Sequence, residues 1–449
     1  MNKLLLMIKA PLLCGVLILL YNTASIAHTD TLRVLDYNVL YIGDTPPCQY
    51  PHNISEGYLA TVITYANPDI IGLEKRASED AFGSAPIGFA DSLLQYSFNT
   101  LVPGRYSYCP YSNAGQANNI STLFYNQQKL GFAGVLCTYS NITDFSTYKL
   151  YYKNDSLAFT NDTIFLYVTL NHTNSGSGTS DATIREQQIA GEMAQIETHF
   201  TSLPNMINMG DFNVHNSSEA CYQTLVAPSN PACRYYDPPF YPDAIFSYPA
   251  DWSNNAAEFT SCLTVSTRQG SLPNTCSGNN GGAKSWYDHV FLSSNIINNS
   301  DHVSYIPHSF KVIGNDGNRL GLDANTTPNT SAPADVVNAI FQLSEHYPLA
   351  LDLLVNTSHA GIANIQNPGE KISVVNPVAA QLTLQFKKDL AGRTINMNCI
   401  DVLGRVVLKN SFVASDELIQ LPCLLAPGIY NLQFSENGIV IANKMIRKQ

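Results

Sequence analysis

The chain has 449 residues, 45% of them apolar and only 13% charged, with a formal net charge of −11. That length accommodates two or three domains and that apolar share fills packed cores, which excludes a disordered or fibrous chain. The negative balance excludes a protein that holds nucleic acid through a broad basic face, but not a hydrolase that borrows positive charge from a bound metal ion.

Residues 1–27 have the order of a secretory signal peptide: Lys3 and Lys9, the apolar run APLLCGVLILLY, then the small-residue stretch NTASIA. The run is shorter than the ~20 residues a spanning helix needs, so no transmembrane anchor is expected. Leu13 is too bulky beside Cys14 for a lipidation site. Ten cysteines in an exported chain predict disulfides, with Cys221 and Cys233, Cys262 and Cys276, and Cys399 and Cys423 as candidate pairs.

From Leu32 onward, strand and helix signals alternate. TLRVLDYNVL reads as a strand, EGYLATVITYA has helical spacing and stops before Asn67 and Pro68, and DIIGLEK is a strand again. NISTLFYN, DTIFLYVTLNH, LPNMINMGDFN and SWYDHVFLS are further strands. Residues 181–200 place Ile184, Ile189, Met193 and Ile196 near one helical face, which predicts a helix covering a sheet. Residues 229–284 are rich in Pro, Asn, Gly, Ser and Cys and read as long surface loops stapled by disulfides. A linker without apolar periodicity ends near Gly369, and short alternating strands follow to the C-terminus, the pattern of a small β-sandwich.

The predicted strand ends share a theme. Asn38 follows LDY, Glu74 follows IIGL, His172 closes VTLNH, Asp211 and Asn213 follow the apolar run to Met209, Asp288 follows SWY, and Glu345 and His346 follow QLS. Each alone is an ordinary turn cap, solvated charge or core imidazole. Together, in a chain this poor in charge, they point to one site, because open α/β sheets bind ligands beyond the carboxyl ends of their strands.

The order and wording of these segments, above all GDFN, YDHVFLS and SEHYPLALDL, resemble the endonuclease/exonuclease/phosphatase superfamily over roughly residues 30–356. The resemblance implies an α/β fold, a four-layered α/β sandwich of the deoxyribonuclease I type, with a divalent cation, Mg²⁺ or Mn²⁺. It implies Glu74 as principal metal ligand with Asn38 beside it, as a hard cation prefers oxygen donors. It further implies His346 as general base oriented by Asp288, with Asp211, Asn213 and His172 on the scissile phosphate. This chain departs from the family's pattern in three places: Glu345 precedes the base where Asp is usual, Leu73 stands where Gln is usual, and Leu40 where some relatives carry Asp. Glu345 is therefore a candidate metal-linked carboxylate set one methylene further out. His215 is read as a loop histidine, and Arg185 either as a phosphate ligand or as part of a solvated helix face.

The last segment is similar to the sorting domain of the type IX secretion system at NPV, DVLGRVV, LAPGIY and the basic end KMIRKQ. The expected organisation is a signal peptide (1–27), a catalytic domain (28–358), a linker (359–370) and an immunoglobulin-like sorting domain (371–449) recognised by an outer-membrane translocon. The resulting expectation is a monomeric phosphodiesterase exported by a bacterium, with a nuclease favoured over a sphingomyelinase-like enzyme acting on phospholipid headgroups. A lipid enzyme needs an exposed aromatic loop, for which residues 233–252 are the candidate. A non-catalytic surface binding protein on the same fold is the third reading, and it would need neither a base nor its orienting carboxylate.

Overall fold

The computed structural model describes residues 29–43, 52–78, 88–111, 119–154, 163–241, 246–270, 278–357, 372–378, 380–401, 405–415 and 418–448. The expected signal peptide and linker lie outside these. The chain divides into one compact unit over His28–Thr357 and another containing Ser358–Gln449.

In the first unit, β1 (Thr29–Ile42) leads through the helix His52–Ala66 to a parallel β2 (Ile70–Arg76). Two parallel strands need such a crossover. Leu59, Val62, Ile63 and Ala66 are its buried stripe, at the spacing of one helical face. Asn67 ends the helix at φ 50°, directly before Pro68. β3 (Tyr106–Tyr108) and β4 (Ile120–Asn126) extend the sheet beyond β2.

The second sheet repeats this plan. A hairpin of β5 (Leu130–Asn141) and β6 (Thr143–Tyr152) leads to β7 (Phe165–His172), and the helix Thr179–His199 crosses over to a parallel β8 (Met206–Asp211). β9 (Tyr235–Tyr236) and β10 (Asp288–Ser293) complete the order β5-β6-β7-β8-β10-β9. The chain then returns to the first sheet as β11 (Val303–Tyr305), β12 (Lys311–Val312) and, after the helix Ala334–Leu343, β13 (Leu349–Asn356). The order there is β11-β13-β1-β2-β4-β3, with β12 also on β13.

β1, β2 and β4 pack face to face on β7, β8 and β10. The helices His52–Ala66 and Ala334–Leu343 cover the outer face of the first sheet, and Thr179–His199 with Ala220–Val226 covers that of the second. The result is the expected four-layered α/β sandwich. Val34–Leu40 is buried on both faces, so apolar residues there do not alternate with exposed ones, and its two polar residues, Asp36 and Asn38, are buried with them.

Residues 229–284 differ from the reading as surface loops. Cys262–Arg268 are all buried, and Val265 bridges to both Ser285 and His346. Trp252, Phe259 and Trp286 form an aromatic cluster around His289, whose Nδ1 meets Asp237 at 3.0 Å. Aromatic burial against irregular backbone, with no period to betray it, is what the composition concealed. No disulfide forms among the described residues: Cys221 faces Glu219, whereas Cys233 faces Asn230 and the Phe200 carbonyl, so that pair looks in different directions. Cys399 and Cys423 are both buried thiols, and Cys276 lies outside the described residues.

In the second unit, β14 (Ile372–Val374), β15 (Gln381–Phe386) and β18 (Ile419–Pro422) form one antiparallel sheet. β16 (Thr394–Asp401), β17 (Val406–Val413), β19 (Gly428–Glu436) and β20 (Ile439–Lys448) form the other, in the order β17-β16-β19-β20. Leu382, Leu384 and Phe386 pack with Ile395, Met397, Leu432 and Phe434 into a core of their own, as a β-sandwich requires.

Candidate active site

The register of the two parallel pairs brings the polar strand ends together. Asn38 lies opposite Glu74 across β1 and β2, and His172 lies opposite Asp211 across β7 and β8. Asp211 is in turn opposite Asp288, the first residue of β10. Asp36 pairs with Leu349 at the start of β13, so the turn before it, with Glu345 and His346, lies at the same edge of the sandwich. The carboxyl ends of β1, β2, β7 and β8 therefore meet the start of β10 and the turn before β13 in one place; Glu345 and His346 follow the helix Ala334–Leu343 and not the expected strand, and Asp288 opens its strand.

Hydrogen bonds lock this arrangement. His346 Nδ1 meets Asp288 Oδ2 at 2.8 Å and Oδ1 at 2.9 Å, which leaves Nε2 as the working nitrogen, 3.7 Å from Asp211 Oδ2. The Asn38 amide donates to Asp211 Oδ2 at 3.0 Å, and the Asn213 N–H donates to Oδ1. Asn213 sits at φ 49° and donates its own amide to the Thr173 carbonyl. His172 Nε2 is 3.7 Å from Asp211 Oδ2, and its Nδ1 has no partner. Ser344 donates to the Asn38 carbonyl and accepts from the His346 N–H, tying the base to the end of β1.

A cavity of about 550 Å³ opens above this group, with Tyr41, Lys75, His172, Asn213, Tyr287 and His346 among its lining. Lys75 follows Glu74 in the chain and in a regular strand would point to the opposite face. Its φ of 60° breaks that alternation and lets the ammonium reach the cavity, 4.6 Å from the centre of the Tyr41 ring. Leu40 and Tyr41, at φ 44° and 62°, turn the other side of the rim. Four non-glycine residues in left-handed backbone at one strand edge are strained positions of the kind that cluster at working sites.

Glu345 stays at the centre: it accepts from the Asn279 N–H, stands 3.7 Å from the Lys75 ammonium and brings Oε1 to 3.8 Å from His346 Nε2. Arg185 is a buried structural cation, bonded to Glu219 and to the carbonyls of Asn174 and Gly176. His215 lies at the rim, edge-on to Tyr287. The sequence reading missed Lys75, Tyr41 and the segment Thr264–Thr267, which supports the Glu345–His346 turn through the Thr267 N–H to Glu345 carbonyl and Tyr347 N–H to Thr264 carbonyl bonds.

The electrostatics are unbalanced. Burial pushes the Glu74 carboxyl up to about 8, reinforced by Asp288, and pushes Asp211 up to about 6 although His346 opposes it. Burial alone would lower the His346 imidazole, but Asp288 and Asp211 outweigh it and hold its pKa at about 9. His172 falls to about 3 through burial and the nearby Lys75 and His346, so it is neutral at physiological pH. Near pH 7 the metal-free site thus holds protons on Glu74 and His346.

These residues fit a divalent cation. Both Glu74 oxygens are buried without a hydrogen-bond partner, which is costly unless a charge meets them. Asp211, Asp288 and His346 each offer a ligand atom, all within 4.8 Å of one another. Such a set prefers a hard cation that takes carboxylate and amide oxygens and displaces the resident protons.

Residues 376–448 match the family described as the secretion system C-terminal sorting domain. This marks the chain for type IX secretion, to the cell surface or the extracellular space. Among the described residues no helix is long and apolar enough to cross a membrane. No curated protein matches the chain. Several solved structures are similar to it. One is an endonuclease/exonuclease/phosphatase from Beutenbergia cavernae, at 12% identity and a TM-score of 0.40, covering 93% of this chain and 99% of that one. Another is D. rerio TDP2 complexed with single strand DNA product, at 15% identity and 0.40, covering 72% and 99%. A third is the beta toxin of Staphylococcus aureus, at 14% and 0.38, covering 71% and 99%.

Proposed function

We propose that this chain is an exported, divalent-metal-dependent phosphodiester hydrolase and that its substrate is nucleic acid. The observation that carries the reading is the His346–Asp288 pair, whose free Nε2 faces Asp211 below a polar cavity, beside the unpartnered carboxylate of Glu74. His289 carries a similar bond to Asp237 but is packed among aromatic rings, whereas the His346 ring lines the cavity. A hydrolase needs such an imidazole to take the proton of the attacking water.

In this reading Asp288 holds the Nδ1 proton of His346 and keeps Nε2 basic. Asp211, steadied by the Asn38 amide and the Asn213 N–H, accepts a hydrogen bond from the water and aligns it. Neutral His172 donates to a phosphoryl oxygen as charge develops there, and Lys75 adds fixed positive charge from the rim. Glu74 and Asn38 would hold the divalent ion, Mg²⁺ or Mn²⁺, which supplies neutralisation of a non-bridging oxygen and of the departing alkoxide. Glu345 acts through Lys75 by placing that ammonium.

Nucleic acid is preferred over a lipid headgroup on one observation. Within the described residues of 233–252, the aromatic stretch a lipid enzyme would expose, Tyr235, Phe240 and Trp252 are buried in the core, which leaves Tyr248 as the one aromatic there with half its surface exposed. The rim instead offers Tyr41 and Tyr287, flat faces suited to stacking on bases. The test is cleavage of supercoiled plasmid, single-stranded RNA and sphingomyelin vesicles by the purified protein, with Mg²⁺ and with EDTA, beside His346→Ala. Metal-dependent cleavage of nucleic acid that the variant loses supports the reading. Headgroup release alone would move the protein to the lipid class, and no turnover of any phosphodiester would leave it a binding protein.

A further inference from the structure

Asp36 stands two residues before Asn38 and so shares its face of β1, one step deeper in the sandwich. It is fully buried, and neither of its oxygens has a hydrogen-bond partner. Its parallel-strand neighbour is Gly72, and a Cβ built there would meet Glu74 Oε1 at 3.0 Å and the apolar ends of Leu170 and Met209 at 2.9 and 3.0 Å. The missing side chain at position 72 is what lets the Glu74 carboxylate fold back beside Asp36. Glu74, Asp288 and Asp211 all bear on Asp36 and, with burial first among the causes, push its carboxyl well up. Two buried carboxyl groups side by side, near enough to share a proton and with no other group bonding any of their four oxygens, form a donor set suited to positive charge.

We propose that Asp36 is a further carboxylate donor of the divalent-cation site, holding the ion together with Glu74 from the floor of the cleft. The inference rests on the metal-dependent reading above and extends its ligand set by a residue that motif spacing alone does not single out. It also gives Gly72 a purpose, since any larger residue there would push Glu74 away from Asp36.

The test is titration of the full-length, metal-stripped protein with Mn²⁺ at pH 7.5 by calorimetry, for the wild type, Asp36→Asn, Asp36→Ser and Glu74→Gln, with the melting temperature of each metal-free form. Asp36→Asn is expected to weaken Mn²⁺ binding by about tenfold or more. Asp36→Ser, which removes the donor with less bulk, should lose affinity likewise and covers the case in which the first variant misfolds. Wild-type affinity in both Asp36 variants, with binding lost in Glu74→Gln, would overturn this inference and leave the cation site standing. No Mn²⁺ binding by the wild type, or unchanged binding in Glu74→Gln, would overturn both.

Discussion

His346 holds two roles that pull its chemistry in opposite directions. As a base it must be neutral, yet Asp288 and Asp211 hold its pKa at about 9 in the metal-free chain. A cation held as proposed beside Glu74 and Asp211 would lower the local negative potential and favour loss of that proton, which would link metal binding to base activation. His346→Ala is expected to lower kcat by about 10²- to 10⁴-fold, and Asp288→Asn, which permits the wrong tautomer, by a comparable factor. A single-turnover assay at saturating Mg²⁺ reads both, and activity within tenfold of wild type in His346→Ala would remove it as the base. The same shifts set the metal-free stability. His346 at about 9, Glu74 at about 8 and Asp211 at about 6 all bind protons more tightly folded than unfolded, so their stabilising contribution is complete at low pH and is lost as pH rises. His172, depressed to about 3, contributes the opposite way, but only below about 6.5. Between pH 6.5 and 9 the melting temperature of the stripped protein is therefore expected to fall, and saturating Mg²⁺ should flatten the slope; a melting temperature that climbs over this range would contradict the charge balance described. The residues of this site were legible because each is a polar group at the edge of an apolar run, closing a strand at Asn38, Glu74, His172 and Asp211, opening one at Asp288 and preceding one at His346. Lys75 was not, because its positive φ defeats the alternation by which a strand is read.

Strand β8 shows how an element's geometry carries the site. Gly210 lies directly before Asp211 with φ 143°, and a Cβ there would stand 1.9 Å from the Asn171 carbonyl oxygen of β7. Gly210→Ala must either part the parallel pair or move Asp211 off its register with His172 and Asp288. A cost above about 4 kcal/mol is expected, beyond the range of ordinary substitutions. Gly104, at φ 72° with open space around it, is the control: Gly104→Ala should cost only the left-handed backbone penalty of about 1–2 kcal/mol. Urea unfolding of the two variants measures the difference, and equal costs would mean that close approach at Gly210 does not matter. The Gly-Asp pair was visible in the sequence as a turn signal, but the close approach to β7 was not, because it depends on which strand becomes the neighbour. The same limit explains the β5–β6 hairpin, whose half-exposed, small-residue strand carries little apolar signal, and the buried run Cys262–Arg268, which has none of the periodicity that marks a core element. The helix Thr179–His199 was readable from Ile189, Met193 and Ile196, but its buried face also holds Arg185, Gln188 and Glu192, polar residues whose partners only the fold supplies.

At the scale of the molecule, charge and division into units make separate demands. With a net charge of −11 and Lys75 the one Lys or Arg side chain among the described residues lining the cavity, counterion release on binding single-stranded nucleic acid should be small. The slope of log K against log salt is expected near −1 rather than the steep value of a basic groove. The two cores are separate, the first built from Leu32 to Val355 and the second from Ile372 to Ile446, with no residue in common. All the proposed site residues lie in the first, and the sorting-domain match lies wholly in the second. Truncation after Thr357 should therefore leave metal-dependent hydrolysis within about twofold of the full chain, because no group that bonds to His346, Asp211 or Glu74 is removed, and distant, unshared sites behave additively. The same truncation should abolish export, leaving the protein inside the outer membrane of its host. Cell fractionation with an activity assay on each fraction separates the two effects. Activity lost in the truncated protein would mean that the second unit takes part in the first one's folding or chemistry. A truncated protein still found outside the cell would mean that the address lies elsewhere in the chain.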